Sequence, residues 1–347
     1  MGGALPPRKL ITAPPKGSPM PHIVLLATGG TIASRAKTQG GAVTAGLTGD
    51  TLLNRLHSPL PETLTVTVEN FEAMGSYALD LATVYALCQR IDALLASDAV
   101  DGIVVTHGTD TMEESAFLAW LLVHSPKPVV FTGAQRHAGE PDTDGPRNIR
   151  DAILAAAAPA LHDLGAVIVF EGDIHGARYV TKTHTARTDT FRSNGHGKLG
   201  EIDLGDVHLY TRPAHPRQPL TVPALDLDVE LIALGLGTTP RLMTWAKDNG
   251  ASGIVLAAFG RGNAPQGFAE ATRACLARGL PVLIGSRCPE GRTRAVYGND
   301  SGAHTLSEAG ALLVGDLSPV KARLLLAALL ARPERGDPLK AMLEAYC

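Results

Sequence analysis

The sequence predicts an α/β protein with a large N-terminal domain, built on a doubly wound parallel sheet, and a smaller C-terminal α/β domain. Apolar runs of strand length alternate with segments of helical periodicity along the chain. These runs are continuous, as is typical of parallel strands that helices cover on both faces. A proline-rich stretch separates this series from a second, shorter one. Together with a length of 347 residues, these observations favour two domains.

The elements of the first domain follow one another in β-α order. Strands are predicted at residues 22–28, 64–70, 102–107, 128–133 and 166–171, and helices at residues 80–96, 112–124 and 145–158. A short antiparallel pair is predicted between Leu204 and Tyr210. At the start of the second helix Thr111 is a candidate cap, and Glu113 and Glu114 lie where carboxylates suit the helix dipole.

The remaining segments define the domain boundaries. Residues 1–21 are rich in proline and lack the apolar core of a signal peptide, so we expect a flexible tail before a domain at 22–211. The prolines between Arg212 and Pro223 disfavour a regular helix or a central strand, so we interpret residues 212–225 as a linker. In the C-terminal domain, residues 226–347, strands are predicted at 229–234, 253–259 and 281–285 and helices at 239–248, 267–278 and 319–331.

Composition and charge argue against several functional classes. A net charge of −3 without a basic stripe offers no footprint for nucleic acid. The longest apolar stretches fall short of a membrane span. The four cysteines are scattered and the twelve histidines lack the spacing of metal ligands, so we expect no metal and no cofactor. This cysteine usage suits a reducing compartment, and we expect a cytoplasmic location.

Two segments of similar design mark the candidate site. The apolar run that starts at Pro21 ends in two glycines and Thr31, and the run that starts at Asp101 ends in a glycine, Thr109 and Asp110. Glycine lets the backbone turn sharply and approach a ligand closely. If the two strands are neighbours in one parallel sheet, their polar ends face the crevice where open α/β sheets bind ligands.

These two segments, and five others, resemble the bacterial-type L-asparaginases. The motifs occur in family order: T-G-G-T-I-A-S at 28–34, T-H-G-T-D-T-M-E-E at 106–114, P-V-V-F-T-G-A-Q-R at 128–136, D-G-P-R-N at 144–148, V-T-K-T-H-T at 180–185, G-R-G-N at 260–263 and S-R-C-P-E-G at 286–291. A set of long, separated and correctly ordered motifs is far more specific than a single glycine pattern. The resemblance implies the two-domain fold described above and assembly as a homodimer or homotetramer.

The resemblance also implies an activity and its catalytic residues. It implies hydrolysis of L-asparagine to L-aspartate and ammonia, with Thr31 as the nucleophile that forms an aspartyl ester. Thr109, Lys182 and Asp110 would form the set that activates the attacking water or the incoming hydroxyl. Asp110 would in addition be the counter-ion of the substrate's α-ammonium group.

Substrate-binding residues follow from the same motifs. The resemblance implies that Ser76 holds the substrate carboxylate, that the Ala134 carbonyl accepts from the substrate amide, and that Asn263 reaches a neighbouring subunit's site. A turn formed by Gly75 and Ser76 would explain the weaker Ser76 match almost as well. The full set of predicted substrate-binding residues is Ser76, Tyr77, Gly108, Asp110, Ala134 and Asn263.

Two positions depart from the family pattern. Val43 stands where many members have a tyrosine in a mobile loop, and valine can neither donate nor accept a proton. We predict that the glycine-rich loop 35–48 closes over substrate and that another hydroxyl, from Tyr297 or Thr44, replaces the tyrosine contact. Tyr297 also stands nearest to the acidic residue of relatives with strong glutaminase activity, which has no carboxylate counterpart here.

Three other functions are weighed against an asparaginase. Dual asparaginase–glutaminase activity differs by one methylene of substrate, and the absent carboxylate favours asparagine. A transfer-RNA-linked amidotransferase subunit would need an additional N-terminal domain. Val43 keeps open a non-catalytic amino-acid-binding protein, whereas Thr31, Thr109 and Lys182 together favour an enzyme.

Overall fold

A computed structural model describes residues 20–36, 43–45, 47–214 and 217–347. Only the backbone is described for residues 35, 36 and 43–45. The predicted tail therefore lies outside the described residues except for its last two positions. Half of the predicted mobile loop, residues 37–42 and 46, also lies outside them.

The N-terminal part of the chain contains twelve strands and four helices among its described residues. In chain order they are β1 (His22–Gly29), β2 (Ser34–Ala36), β3 (Val43–Ala45), α1 (Gly49–Leu53), β4 (Thr65–Met74), α2 (Leu81–Leu95), β5 (Gly102–Thr106), α3 (Met112–Leu122), β6 (Val129–Thr132), α4 (Gly145–Ala156), β7 (Ala166–Phe170), β8 (Asp173–Gly176), β9 (Thr181–Lys182), β10 (Phe191–Arg192), β11 (Gly200–Asp203) and β12 (Asp206–Leu209). Short 3₁₀ turns cover Thr31–Ala33, Ser76–Ala78 and Pro159–Leu161.

The C-terminal part is smaller and repeats the β-α order. It consists of β13 (Val229–Ala233), α5 (Arg241–Asp248), β14 (Gly253–Ala258), α6 (Phe268–Leu276), β15 (Val282–Ser286), α7 (Ala303–Glu308), β16 (Leu312–Leu313), α8 (Pro319–Leu330) and α9 (Asp337–Glu344). The described residues between β12 and β13 form neither a helix nor a strand. Every predicted strand and helix is present, with ends that differ by at most four residues from the prediction.

Two separate sheets organise the fold, which confirms the predicted fold class. The large sheet has the order β12-β11-β8-β7-β6-β5-β1-β4. Its five neighbouring strands β4, β1, β5, β6 and β7 are parallel to one another. Its other edge, β8, β11 and β12, is antiparallel. The predicted antiparallel pair is present, but its first strand, β11, lies before Leu204, and only β12 falls within the predicted range. The small sheet, β13-β14-β15-β16, is entirely parallel. Because β4 and β5 lie on opposite sides of β1, the strand order reverses there, and a crevice opens between β1 and β5.

Apolar packing joins the two parts of the chain. Helix α3 contacts β7 of the large sheet on one side and α8 of the C-terminal part on the other. One continuous core therefore includes residues of both parts, with Phe117 of α3 and Leu325 of α8 both almost fully buried. Among the described residues, no helix is both long enough and apolar enough to cross a bilayer.

One helix start agrees only in part with its prediction. Thr111 occupies the cap position of α3, but its side chain does not accept a hydrogen bond from the first turn. Its hydroxyl instead donates to the Ser76 carbonyl, at 2.9 Å. Thr111 is therefore the N-cap residue, as predicted, but its side chain makes no cap bond. Its backbone (φ −123°, ψ 15°) is not in the extended conformation that is typical of an N-cap residue.

Gly30 is constrained both by its backbone conformation and by its surroundings. Its φ angle is 81°, in the region that side-chain-bearing residues rarely adopt. A Cβ atom at this position would lie 2.4 Å from the Gly108 nitrogen and 2.5 Å from the Gly108 Cα. The loops after β1 and β5 therefore touch through backbone atoms alone.

Gly30→Ala is expected to destabilise the protein more than Gly250→Ala does. Gly250 has a similar φ of 89° but open space at its Cβ position, so both variants carry the conformational cost of about 1–2 kcal/mol and only Gly30→Ala adds the clash. Overpacking of this kind adds about 1–3 kcal/mol to the loss of unfolding free energy. Urea unfolding of both variants measures the difference, and equal losses would show that the loops can separate freely.

Candidate active site

Four strand ends meet at one edge of the large sheet. In the pairing register Ala27 of β1 lies opposite Thr106 of β5, and Thr106 lies opposite Thr132 of β6. On the other side Gly29 pairs with Met74 at the end of β4. The segments that follow these strands carry Thr31, Thr109, Ala134 and Ser76, so most of the predicted site residues lie around one crevice.

A tight turn presents Thr31. Gly29 and Gly30 both have positive φ, and the Gly30 amide donates to the Met74 carbonyl at 3.1 Å. The Ser34 hydroxyl donates to the Gly30 carbonyl at 2.7 Å, which fixes the 3₁₀ turn that Thr31 opens. Thr31 is partly buried, and within the described part of the chain its hydroxyl makes no hydrogen bond. No described residue therefore competes with a ligand for this hydroxyl.

Thr109, Asp110 and Lys182 form one hydrogen-bonded cluster. The Lys182 ammonium donates to the Thr109 hydroxyl at 2.8 Å and to the Asp110 carboxylate at 2.9 Å. Lys182 comes from β9, more than 70 residues further along the chain, and its side chain is only 17% exposed. The Asp110 side chain is 57% exposed and can pair with a cationic group of a ligand. These three residues, predicted as one set, are thus in direct contact.

Gln135 completes this cluster, although no role was predicted for it. The Thr109 hydroxyl donates to the Gln135 side-chain oxygen at 2.9 Å, and the Gln135 amide group donates to the Arg187 carbonyl at 3.2 Å. The Gln135 backbone amide donates to the buried carboxylate of Asp144, at 3.0 Å. The Thr109 hydroxyl is therefore held between an ammonium donor and an amide acceptor, which fixes its orientation.

Ser76 lies over the second glycine loop. It is 3% exposed, and a Cβ atom on Gly108 would come within 2.5 Å of its hydroxyl oxygen. Only glycine at 108 leaves room for this contact, which brings Ser76 to the same crevice as Thr109. Tyr77, the next residue, is 80% exposed. Ala134 is fully buried, immediately after the end of β6.

The sequence predicts that His107, within the second motif, is a packed or hydrogen-bonded residue and not a catalyst, and the structure shows it packed. It is fully buried, with its Nδ1 atom 2.7 Å from the Gly108 carbonyl oxygen, while its Nε2 atom has no hydrogen-bond partner among the described residues. Burial lowers the pKa of His107 to about 4, because desolvation disfavours the imidazolium form. The side chain is therefore neutral at physiological pH.

The structure does not bring every predicted residue to the crevice. Asn263 follows β14 of the C-terminal part, and its side-chain oxygen accepts from the Ala303 amide at 3.0 Å. The side chain of Tyr297 is exposed, and no hydrogen bond among the described residues joins it to Thr31. Val43 and Thr44 lie in β3, with only their backbone described.

The sequence predicts that Arg178, Arg187 and Arg192 are solvated or interface residues, and Arg178 differs because it forms a largely buried ion pair. Its side chain is 15% exposed and pairs with Asp316 of the C-terminal part at 3.0 Å. It also donates to the Tyr346 carbonyl at 2.9 Å. Arg187 and Arg192, predicted in the same way, both pair with Asp189 at the surface. Sequence spacing gave no signal for the Arg178 contact, because its partners lie more than 130 residues away.

Together these groups can support acyl transfer. A hydroxyl presented by one loop can act as a nucleophile, and a second hydroxyl, oriented by a lysine, can mediate proton transfer. An exposed carboxylate beside them can bind an ammonium group.

Comparison with known families gives two matches that together cover most of the chain. Residues 22–215 match the family described as "Asparaginase, N-terminal", and residues 228–343 match "Glutaminase/Asparaginase C-terminal domain". The junction between the matches lies in the stretch between β12 and β13, whose described residues form neither a helix nor a strand.

Individual relatives cover nearly the same length. The chain is 38% identical over 317 residues to the "Probable L-asparaginase" of Deinococcus radiodurans, covering 90% of this chain and 93% of that one. It is 35% identical over 319 residues to the L-asparaginase of Bacillus licheniformis, covering 90% and 97%. It is 33% identical over 326 residues to the "Probable L-asparaginase periplasmic" of Haemophilus influenzae, covering 92% and 90%.

The buried His107 is expected to make folding sensitive to acid. Between pH 6.5 and 4 an unfolded histidine binds a proton that the folded one refuses, so unfolding free energy falls as the pH falls across this window. A shift of this size corresponds to a loss on the order of 3 kcal/mol. Chemical denaturation at several pH values should therefore show a weaker pH dependence for His107→Gln than for the wild-type protein.

The exposed His208 provides the matched control for this experiment. His208→Gln should leave the pH dependence of unfolding as it is in the wild-type protein. If His107→Gln behaves in the same way as His208→Gln, His107 is not the group that titrates.

Proposed function

The chain belongs to the asparaginase family, and on that premise we propose that it hydrolyses the side-chain amide of L-asparagine to give L-aspartate and ammonia. The observation that carries the proposal is the contact of Lys182 with Thr109 and Asp110 beside the loop that presents Thr31. Each of these side chains has a counterpart in the steps of amide hydrolysis.

The reaction proceeds in two halves. The Thr31 hydroxyl adds to the amide carbon and gives up its proton, and the carbon–nitrogen bond breaks as the leaving nitrogen takes up a proton and departs as ammonia. Water then adds to the resulting aspartyl ester, and its proton passes through the Thr109 hydroxyl to the Thr31 oxygen as the ester bond to Thr31 breaks. The Lys182 ammonium, which donates to Thr109, stabilises the negative charge that develops during this transfer. Aspartate leaves and the Thr31 hydroxyl is restored.

Substrate recognition is assigned to groups around the same crevice. The Asp110 carboxylate, which faces solvent, pairs with the substrate α-ammonium, and the Ser76 hydroxyl binds the α-carboxylate. Gly108 admits Ser76 because a side chain there would collide with it. The Ala134 carbonyl accepts from the substrate amide, and Tyr77 borders the entrance.

Asparagine is the preferred substrate in this proposal. Glutamine is longer by one methylene, a difference that a pocket converts into about 1–3 kcal/mol. The Arg287–Tyr297 loop carries no carboxylate near its end, unlike relatives with strong glutaminase activity. Tyr297 or Thr44 supplies the hydroxyl that Val43 lacks.

Location and assembly belong to the same proposal. We assign a cytoplasmic location, since the four cysteines are all unpaired. The Haemophilus influenzae relative is named as a periplasmic protein, so cell fractionation is the experiment that tests this assignment. We assign a homotetramer built from dimers, in which Asn263 of one subunit reaches the site of another.

Removal of the Thr31 hydroxyl is expected to abolish turnover. Wild-type protein should release ammonia from asparagine, whereas Thr31→Ala should fold normally and lose at least about 1000-fold in kcat. Thr31→Ser, which keeps a hydroxyl, should retain part of the activity. Near-normal ammonia release by Thr31→Ala would refute the nucleophile assignment. Wild-type protein that binds asparagine without releasing ammonia would instead support the amino-acid-binding alternative.

A shared site predicts complementation between two defective chains. Thr31→Ala and Asn263→Ala should each have low activity alone, but a co-expressed mixed dimer contains one site with both residues intact. Random pairing of equal amounts gives about a quarter of wild-type activity. Activity no higher than that of the separate variants would mean that Thr31 and Asn263 do not meet across subunits.

A further inference from the structure

Lys321 is a buried cation for which the proposed reaction has no use. It lies in the first turn of α8 and is 2% exposed. Its ammonium donates to the backbone carbonyls of Val180 at 2.5 Å and Arg178 at 3.2 Å, and it lies 6.0 Å from the centre of the Phe117 ring. Among the described residues it forms no ion pair within 4 Å. A lysine is rarely buried in this way without a specific task.

Burial disfavours the charged form of Lys321. Burial lowers its pKa to about 8, and the nearby Glu113 carboxylate opposes this shift. The two backbone carbonyls are strong acceptors, and each receives a hydrogen bond from the Lys321 ammonium. The ammonium therefore has a clear energetic reason to remain bonded to both.

The two carbonyls belong to the segment that carries Lys182. They precede Lys182 by two and four residues, so Lys321 fixes the backbone just before the side chain that reaches Thr109 and Asp110. From the opposite side, the Glu113 carboxylate accepts from the Lys182 backbone amide at 2.5 Å. The segment is thus held between the first turns of α8 and α3.

A second contact from the C-terminal part holds the same segment. Asp316 pairs with Arg178 at 3.0 Å and with Arg292 at 2.8 Å, and its side chain is 12% exposed. Coulombic and hydrogen-bond contacts with Arg178 keep the pKa of Asp316 low against the opposing effect of burial. Residues 178–182 are therefore anchored to the C-terminal part at both Arg178 and Val180.

We propose that Lys321 is a positioning residue for Lys182. Through Lys321, the C-terminal domain of the same chain determines where the Lys182 ammonium lies. Lys321 does not touch the substrate in this arrangement. It holds the Arg178 and Val180 carbonyls so that the Lys182 ammonium meets Thr109 and Asp110 together. The catalytic consequence rests on the proposed function of Lys182, whereas the positional consequence does not.

Lys321→Met removes the ammonium and keeps most of the side-chain volume. The expected result is a fall in kcat on the order of 10-fold to 100-fold with KM changed less than about threefold, because a small misplacement of a catalytic group affects the chemical step. The matched control is Arg323→Met on the same helix, since Arg323 donates to the Val229 carbonyl within its own domain. This control should keep wild-type kcat.

The reactivity of Lys182 gives a readout that does not depend on turnover. Limited acetylation followed by peptide mass spectrometry measures the labelling rate of Lys182 relative to the exposed Lys340, whose side chain is 52% exposed. In Lys321→Met the Lys182 ammonium should be released and label several-fold faster than in the wild type or in Arg323→Met. An unchanged labelling rate in a folded Lys321→Met protein would overturn the proposal.

Double variants distinguish a positioning role of Lys321 from a general loss of activity. Adding Lys321→Met to Lys182→Met should lower kcat no further than Lys182→Met alone, because residues that act through one another are not additive. A further, additive fall would show that Lys321 acts elsewhere and would contradict the proposal. Full activity of Lys182→Met would refute the proposed role of Lys182, while the labelling rate would still decide whether Lys321 positions it.

Asp316→Asn provides the same test if Lys321→Met does not fold. It weakens the Arg178 contact without removing a group from the core, so Lys182 labelling should again rise and kcat fall, by a smaller factor. Labelling at the wild-type rate in folded Asp316→Asn would then overturn the idea that the C-terminal domain positions Lys182.

Discussion

The candidate site depends on the close approach of two glycine loops where the strand order of the large sheet reverses. The Cα of Gly30 packs against the backbone of Gly108 with no room for a side chain. Since Thr31 and Thr109 are the next residues, this contact brings both hydroxyls to one crevice. A parallel sheet supplies the alignment of strand ends, but neighbouring strands alone would leave the loops apart. The backbone contact between Gly30 and Gly108 therefore places the Thr31 and Thr109 hydroxyls at the same crevice.

The cluster around Thr109 is ordered by contacts from segments that are distant in the sequence. Lys182, Asp110 and Gln135 surround one hydroxyl, and each is in turn fixed by other contacts. Gln135 is held through its backbone by the buried carboxylate of Asp144 and through its amide by the segment after Lys182. An oriented hydroxyl loses less conformational freedom on reaching a transition state than a free one. Under the proposed function, the contacts that order the cluster therefore favour the chemical step.

Local patterns in the sequence predict much of this arrangement. Continuous apolar strands, glycine turns and ordered motifs predict both sheets and bring Thr31, Thr109, Asp110, Ser76 and Lys182 into one candidate set. The prediction fails where a side chain has a remote partner. The Thr111 hydroxyl donates to Ser76 and makes no cap bond, and Arg178 pairs with Asp316, 138 residues away. Helix propensity and periodicity carry no information about such partners. Lys321 is missed for the same reason, since its acceptors are backbone carbonyls more than 140 residues earlier.

These remote contacts connect the N-terminal and C-terminal parts of the chain. Helix α3 is apolar around most of its circumference, so it needs a covering layer on each side. Helix α8 supplies the second layer and, through Lys321, bonds the segment that leads to Lys182. Without α8, the Phe117 face of α3 would be exposed and the Arg178 and Val180 carbonyls would lose their ammonium partner. The same helix thus completes the hydrophobic core and bonds the segment that carries Lys182.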